Sequence, residues 1–260
     1  MNKVVVCYKW VLDDADIRVN DKTRELDFEK AKGKVNEYDR NGLEAGVQLK
    51  AATNCEFIGI TCGEKTEPST KDALSRGPDS VMFLDDAVLA SADSRTTSKV
   101  LAGMIKKIGD VDVVICSEGS SDEYAQQTSS RLAALLGIPS VTNVSGIEAS
   151  GDTLKLTRKM DDGVEVVEVP APVMITVVPD VNEPPIPSVK QILGAKKKPA
   201  TPVSLGDLGL SAADVAPQLA TVSVLAPVVS RKGIRINVDG MSVTDAAAKL
   251  VKQLQADGAL

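Results

Sequence analysis

The sequence contains no histidine. Histidine is the commonest general base, a frequent metal ligand and the usual partner of a serine or cysteine nucleophile, so a conventional hydrolase is not expected. The four cysteines, Cys7, Cys55, Cys62 and Cys116, form no CxxC pair, which makes a metal site or a disulfide framework a weak interpretation. We therefore predict neither catalytic residues nor a metal site in this chain.

Aromatic residues are also scarce, at 3%, whereas 43% of the residues are hydrophobic. The core must then consist mainly of Val, Ile, Leu and Ala, which suits a parallel sheet covered on both faces by helices. The net charge is −6 without a long basic block, which argues against nucleic acid as a partner. No signal-peptide pattern opens the chain and no apolar run could span a bilayer, so we expect a cytoplasmic protein without membrane insertion.

Apolar runs alternate with helical patterns along the first 140 residues. This alternation predicts βαβ units and a Rossmann-like α/β fold, a parallel sheet with helices on both faces. After Pro139 the pattern changes to four strand-like runs, at residues 141–147, 154–159, 164–169 and 173–178, with turn signals between them. We expect these four runs to form an antiparallel extension of the sheet.

Residues 196–240 show little periodicity and are punctuated by proline, although apolar residues recur among them. Such a stretch is either disordered or packs on another molecule, and we favour an arm that packs on a partner subunit. A final helix at residues 242–255 carries an apolar stripe that needs a surface to bury it. We therefore expect a nucleotide-binding α/β domain at 1–195 and a C-terminal arm and helix at 196–260.

Three of the predicted strands end in cysteine, at Cys7, Cys62 and Cys116. Ligands of open parallel sheets bind beyond the carboxyl ends of the strands, where small side chains let a ligand approach the backbone. The alternative is that each thiol simply packs in the core. The sequence has no GxGxxG and no GxxxxGK[ST] motif, so a nucleotide would have to be held by a different loop.

A polar loop joins the apolar run at residues 111–115 to a helix-like run at 131–136. Backbone N–H groups at such a join, together with the positive end of the helix dipole, favour a phosphate. An ordinary strand-to-helix turn capped by Ser and Asp is an equally good interpretation of this loop alone. The candidate loop residues are Gly119, Ser120, Ser121, Asp122, Glu123, Tyr124, Ala125, Gln126, Gln127 and Thr128.

Several segments together resemble a known family. They are VVVCYKWVLD at residues 4–13, the loop at 117–127, RKMDDGVE at 158–165 with PAPVMIT at 170–176, and NEPPIPS at 182–188 continuing to AKKK at 195–198. Over nearly its whole length the chain resembles the β subunit of electron-transfer flavoproteins, and it looks closest to the FixA-like branch of anaerobic acyl-CoA and carnitine metabolism.

The resemblance implies a heterodimer with a larger α subunit that holds a redox-active FAD, while this subunit binds AMP or a second FAD. Carried over by position, the nucleotide contacts are Cys7, Asn36, Glu37, Tyr38, Asp39, Cys62 and the loop from Gly119 to Thr128. The residues themselves indicate Cys7, Cys62 and the loop but say little about Asn36 to Asp39. The loop is shorter than the G-[KR]-Q-A-I-D type of many relatives, and we favour AMP over FAD here.

The resemblance also implies a partner-recognition segment, with Pro184, Ile186, Val189, Ile192 and Leu193 as its candidate residues. Val189 falls where the family places an anchoring leucine that enters the partner dehydrogenase, and the lysines at 196–198 would border that interface. Without the resemblance, the same segment is a proline-rich loop that caps the sheet, and the lysines are a solvated surface.

The function implied is that of an electron carrier, not a stand-alone enzyme. Electrons would pass through FAD between a donor and an acyl-CoA dehydrogenase or reductase. Two alternatives stay open: an NADH-oxidising, electron-bifurcating subunit that carries its own flavin, and an AMP- or ATP-binding sensor without a redox role.

Overall fold

A nine-stranded sheet forms the centre of the molecule in a computed structural model that describes residues 1–228 and 233–260. The strand order is β11-β10-β9-β12-β8-β1-β6-β7-β13. The strands of this sheet are β1 Lys3–Cys7, β6 Glu56–Gly63, β7 Ser80–Asp85, β8 Val113–Ser117, β9 Ser140–Ser150, β10 Thr153–Met160, β11 Gly163–Pro170, β12 Val173–Val177 and β13 Ala200–Pro202. From β9 through β12 to β13 all neighbours are parallel, whereas β9, β10 and β11 pair antiparallel.

Helices cover both faces of the sheet. In chain order they are α1 Glu37–Thr53, α2 Ser69–Ser75, α3 Ser94–Ile108, α4 Thr128–Leu136, α5 Val189–Ala195 and α6 Val243–Ala256. Buried residues of α1 and α2 join the apolar cluster on one face, and those of α3 and α4 join the cluster on the other. The prediction of a Rossmann-like α/β fold with an antiparallel extension is thereby confirmed. None of the described helices is both long and apolar enough to cross a membrane.

Between β1 and α1 the chain makes two short antiparallel pairs. Strand β2 (Trp10–Leu12) pairs with β5 (Gly33–Val35), and β3 (Arg18–Val19) pairs with β4 (Leu26–Asp27). Strand β5 leads directly into α1, and the Asn36 N–H donates to the Lys9 carbonyl at 3.0 Å, so the start of α1 lies near the end of β1.

The strand predicted at residues 173–178 is not part of the antiparallel extension. It is β12, which lies between β8 and β9 and is parallel to both. All five of its residues are buried. A strand buried on both faces inside a parallel sheet is rich in apolar residues, and four of the five residues of β12 are apolar. The antiparallel extension therefore consists of β9, β10 and β11.

The stretch predicted to be irregular after residue 196 begins inside the α/β fold. Strand β13 pairs with β7 and ends the sheet at that edge, and Val203, Leu205 and Val215 are buried against α3 and its surroundings. Beyond Val215 the apolar side chains become exposed to solvent: Leu219 is 74% and Val222 97% exposed, and α6 has no buried residue. Residues 229–232 of the predicted arm lie outside the described residues.

Candidate functional site

A cavity of about 330 Å³ lies at the carboxyl ends of β8, β1 and β6, the three neighbouring strands at the middle of the sheet. Cys116, Cys7 and Cys62 stand at or near these strand ends, and all three line the cavity. The first turns of α3 and α4 close its other side through Ser94, Thr97, Thr128 and Ser129. The crevice expected from the three cysteine-terminated strands is therefore a real concavity.

Most of the sequence-predicted nucleotide contacts meet in this cavity. Those that line it are Cys7, Asn36, Asp39, Cys62, Gly119, Ser120, Asp122, Glu123, Ala125, Gln126, Gln127 and Thr128. Glu37, Tyr38, Ser121 and Tyr124 are not among the lining residues. The predicted set thus divides into residues that face the cavity and residues that support it from behind.

The supporting residues have other partners. The rings of Tyr38 and Tyr124 contact each other, with their centroids 5.6 Å apart. Glu37 accepts a hydrogen bond from Lys34 Nζ at 3.0 Å, and the backbone N–H of Ser121 donates to Asn36 Oδ1 at 3.1 Å. These contacts fix the loop at 119–127 against the start of α1.

Asn36 is the main link between the loop and α1. It is fully buried; its Nδ2 donates to the carbonyl of Gly119 at 3.0 Å, while its Oδ1 accepts from Ser121. Its own backbone N–H donates to the carbonyl of Lys9 at 3.0 Å. One amide side chain therefore satisfies both a donor and an acceptor of the loop backbone, and it holds the loop beside the turn after β1.

Asp39 is a buried carboxylate at the floor of the cavity. It accepts hydrogen bonds from the backbone N–H of Lys9 at 2.7 Å and from Ser117 Oγ at 2.5 Å. Burial raises the pKa of the Asp39 carboxyl to about 6, because desolvation of the charged form outweighs the hydrogen bonds from Ser117 and Lys9 that favour it. Asp39 therefore ties β8 to the turn after β1 and carries a charge that depends on pH near neutrality.

Lys9 lines the cavity although the sequence reasoning did not identify it. Its ammonium contacts Asp122 Oδ2 at 2.8 Å and Glu123 Oε2 at 3.6 Å. The only sequence signal is its position two residues after the strand-ending Cys7. Lys9 is thus a second link between the turn after β1 and the loop, beside Asn36.

Two of the three thiols of the cavity, those of Cys7 and Cys62, are not activated nucleophiles. Contact with Cys116 and burial raise the pKa of Cys7 well above its ordinary value, and burial raises the pKa of Cys62 to about 12. A thiol whose pKa is raised stays protonated at neutral pH, whereas the thiolate is the reactive form. These cysteines form a compact wall of low polarity. No group of three His, Cys, Asp or Glu side chains among residues 1–228 and 233–260 is placed to hold a metal.

The charges around the cavity restrict where an anion can bind. Among the described residues, five carboxylates and one ammonium, that of Lys9, line the cavity. The carboxylates belong to Asp39, Glu64, Glu118, Asp122 and Glu123. Asp93 already caps α3 by accepting from the Thr96 N–H at 2.8 Å. Within residues 1–228 and 233–260, Gln127, the N-cap of α4, makes no side-chain cap hydrogen bond, so its side chain leaves the first N–H groups of α4 open to a ligand. An anion is therefore best placed at the N-terminus of α4.

Gly119 is required by packing rather than by the backbone. A Cβ atom added at this position would lie 2.6 Å from Cδ2 of Tyr124, closer than real side chains approach. The ring of Tyr124 thus covers the glycine, and it reaches that position from a backbone with φ of 45°. The group that approaches Gly119 closely is therefore the ring of Tyr124 in the same chain.

The residues predicted to bind a partner lie together on the surface. Pro184 and Ile186 belong to an extended proline segment, and Val189, Ile192 and Leu193 belong to α5, which the proline content did not predict. Ser188 begins this helix with a capping box to Gln191, which explains why it forms directly after the prolines. The exposed fraction is 93% for Ile186 and 73% for Val189. These apolar side chains are uncovered in the chain by itself.

The lysines at 196–198 do not form a uniform basic edge. Lys198 is partly buried, and its ammonium donates to the carbonyls of Leu74, Gly77 and Pro78, the last at 2.6 Å. It therefore closes the C-terminal end of α2 and belongs to the fold, while Lys196 and Lys197 are exposed.

The fold and the cavity define an α/β protein of the doubly wound type, with a ligand crevice at the carboxyl edge of a mainly parallel sheet. A family model described as the electron transfer flavoprotein domain matches residues 25–208. The chain belongs to the electron transfer flavoprotein family. The matched region contains α1, the loop at 119–127 and α5, and it begins after Cys7 and Lys9.

Proposed function

We propose that this chain is the β subunit of a cytoplasmic, heterodimeric electron-transfer flavoprotein of the FixA-like branch. Its partner would be an α subunit that holds FAD, and electrons would pass between a donor and an acyl-CoA dehydrogenase or reductase. Membership of the electron transfer flavoprotein family supports electron transfer. The subunit, its partners and its nucleotide are inferred from the resemblance and from the geometry that follows.

The cavity at the ends of β8, β1 and β6 is the observation that carries the proposal. Its volume, about 330 Å³, lies at the small end of the range of roughly 300–1,000 Å³ that is typical of ligand pockets. A mononucleotide suits that size better than a dinucleotide such as FAD. The free N–H groups of α4 provide a position for one phosphate. These features support AMP in this subunit.

The chain's own residues would bind and orient the nucleotide. Asn36 and Lys9 hold the loop at 119–127 over the site, Asp39 holds the turn after β1, and the protonated thiols of Cys7 and Cys62 form the wall. The flavin supplies the electron chemistry when it is bound in the complex. No residue of this chain needs to move a proton, which agrees with the absence of histidine.

Two uncovered apolar surfaces support the proposed partners. The first comprises the exposed chain after residue 215 and α6, whose apolar residues Leu250 and Val251 are 47% and 45% exposed. We place the α-subunit contact here, because residues 200–215 already pack on the sheet. The second is the segment at residues 184–193 with α5, which we assign to docking of the dehydrogenase.

Identification of the bound nucleotides tests the proposal. The chain is co-expressed with an electron-transfer flavoprotein α subunit, the purified complex is denatured, and the released nucleotides are separated and quantified by mass spectrometry. We expect one FAD and one AMP per heterodimer. Two FAD molecules would instead indicate the bifurcating type, and a stable homodimer that binds AMP or ATP and associates with no α subunit would indicate a sensor.

A further inference from the structure

A second hollow, whose lining shares no residue with the nucleotide cavity, lies beside the proline segment. Its lining residues are Glu37 and Arg40 from α1, Arg76 from the end of α2, and Pro184, Pro185, Ile186 and Pro187. The segment is held against α1 by Asn41, whose Nδ2 donates to the carbonyls of Pro179 at 3.0 Å and Asn182 at 2.9 Å. Asn182 returns a hydrogen bond to the carbonyl of Asn41 at 3.1 Å. The chain that leads into the proline segment is therefore anchored to α1, the helix that carries Arg40.

The two arginines carry more positive charge than the lining of the hollow balances, although Arg76 is paired with Asp72 outside the lining. Among the described residues, the Nε of Arg40 is buried and has no hydrogen-bond partner. Glu37, the one acidic residue that lines the hollow, is paired with Lys34 at 3.0 Å. Arg76 uses its Nε to contact Asp72 at 2.9 Å, and no hydrogen bond from its terminal nitrogens is found within residues 1–228 and 233–260.

The buried Nε of Arg40 costs free energy because it has no acceptor in the described part of the chain, and the rest of the guanidinium lines the hollow, where a carboxylate can contact it. Guanidinium groups match carboxylates in shape and bind them through two parallel hydrogen bonds. Three of the four residues that the proline segment contributes to the lining are prolines, which have no N–H, so the arginines are the main groups that an anion would contact. The hollow is therefore built for an acceptor with negative charge.

We infer that Arg40 and Arg76 form a receptor for a carboxylate, an aspartate or glutamate side chain presented by the protein that docks on residues 184–193. This inference rests on the docking role under the proposed function. A protein side chain is favoured over a small free anion because Ile186 and Val189 stand exposed beside the hollow. Interface hot spots commonly place an apolar anchor next to a charged contact. The surrounding contacts then exclude water from the ion pair.

The first experiment tests the carboxylate receptor on the full chain without any partner. The Nε–Hε resonances of arginine are followed by NMR while sodium acetate is added, with sodium chloride at equal ionic strength as the reference. We expect a saturable shift of the Arg40 resonance with acetate and none with chloride. An Arg40 resonance that responds equally to both salts, or to neither, would overturn the receptor.

The second experiment tests the occupant. Arg40→Met keeps the aliphatic stem and removes the charge, and Lys106→Gln removes one charge from the opposite face of the sheet as a matched control. With the heterodimer we expect about tenfold weaker docking of the acyl-CoA dehydrogenase for Arg40→Met, read from the concentration dependence of electron transfer, and no change for Lys106→Gln. Nucleotide content and flavin spectrum should be unchanged in both.

Stability separates this role from a structural one. Because Arg40→Met removes a buried donor without a partner, its unfolding midpoint should not fall below that of the wild type. A lowered midpoint with normal docking of the folded fraction would make Arg40 structural and overturn the inference. Acetate binding together with normal docking would overturn the protein occupant. A wild-type heterodimer that docks on no dehydrogenase would refute the proposed function itself, and with it the occupant.

Discussion

Replacing Asn36 by alanine should release the loop at 119–127 from α1. The side chain makes two hydrogen bonds to the loop backbone, at 3.0 Å to the Gly119 carbonyl and at 3.1 Å from the Ser121 N–H. Each such bond contributes about 1 kcal/mol net, and a buried backbone group left unpaired costs about 1–3 kcal/mol. We therefore expect a loss of about 2 kcal/mol or somewhat more in the free energy of unfolding.

The same change should weaken nucleotide binding. If the loop must be rebuilt before it can hold the nucleotide, a cost of about 2 kcal/mol corresponds to roughly a thirtyfold loss of affinity. Asn41→Ala provides the matched control, because Asn41 is a buried asparagine of α1, the helix that Asn36 precedes as N-cap, and its bonds go to Pro179 and Asn182 instead. It should cost a similar stability and leave nucleotide affinity close to that of the wild type.

Chemical denaturation and calorimetric titration of AMP into nucleotide-free heterodimer measure the two quantities. If both variants lost stability and affinity in the same proportion, the affinity would follow general stability and the specific role of Asn36 would be refuted. An Asn36→Ala variant with normal stability and normal affinity would show that the loop needs no link to α1.

Three further predictions concern single positions. The pKa of Asp39, raised by burial to about 6, exceeds the value near 3.9 in unfolded chains, so stability should fall as the pH rises from about 4 to about 6. Asp39→Asn should remove that fall, which amounts to roughly 3 kcal/mol, in denaturation curves measured across this range. Gly119→Ala should displace the ring of Tyr124 and lower the melting temperature, and adding Tyr124→Ala should recover part of the loss; strictly additive effects would contradict the ring contact. Val189→Ala should weaken electron transfer to the dehydrogenase by about 1–2 kcal/mol without altering flavin content, whereas a lower melting point with an unchanged concentration dependence would assign Val189 to the fold.

Much of the fold can be predicted from the sequence because buried parallel strands are continuous apolar runs. Composition does not decide which strands become neighbours. Strand β12 follows β11 after a short turn, which suggests an antiparallel neighbour, yet it inserts between β8 and β9. Strand β13 has three exposed residues, and its place beside β7 depends on a pairing between segments more than a hundred residues apart.

Site residues could be predicted from the sequence where they lie at the end of a strand, because the ends of neighbouring parallel strands line the cavity. Cys7 and Cys62 follow from the rule that ligands bind beyond the carboxyl ends of parallel strands. Lys9 does not, because its role depends on Asp122, which lies 113 residues away along the chain. The support from Asn36 likewise appears only when the loop and α1 are brought together.

The two edges of the sheet are closed by different means. At one edge β13 ends in Pro202, which has no N–H to offer to a further strand. At the other edge β11 has eight residues, and Glu165 and Glu168 lie within it. Charged side chains at a sheet edge oppose the joining of two copies strand to strand, and salt screens this opposition; Glu165 is in addition paired with Arg158 at 3.3 Å. Protection against edge-to-edge aggregation therefore depends on a missing N–H at β13, which salt does not change, and on charge at β11, which salt weakens.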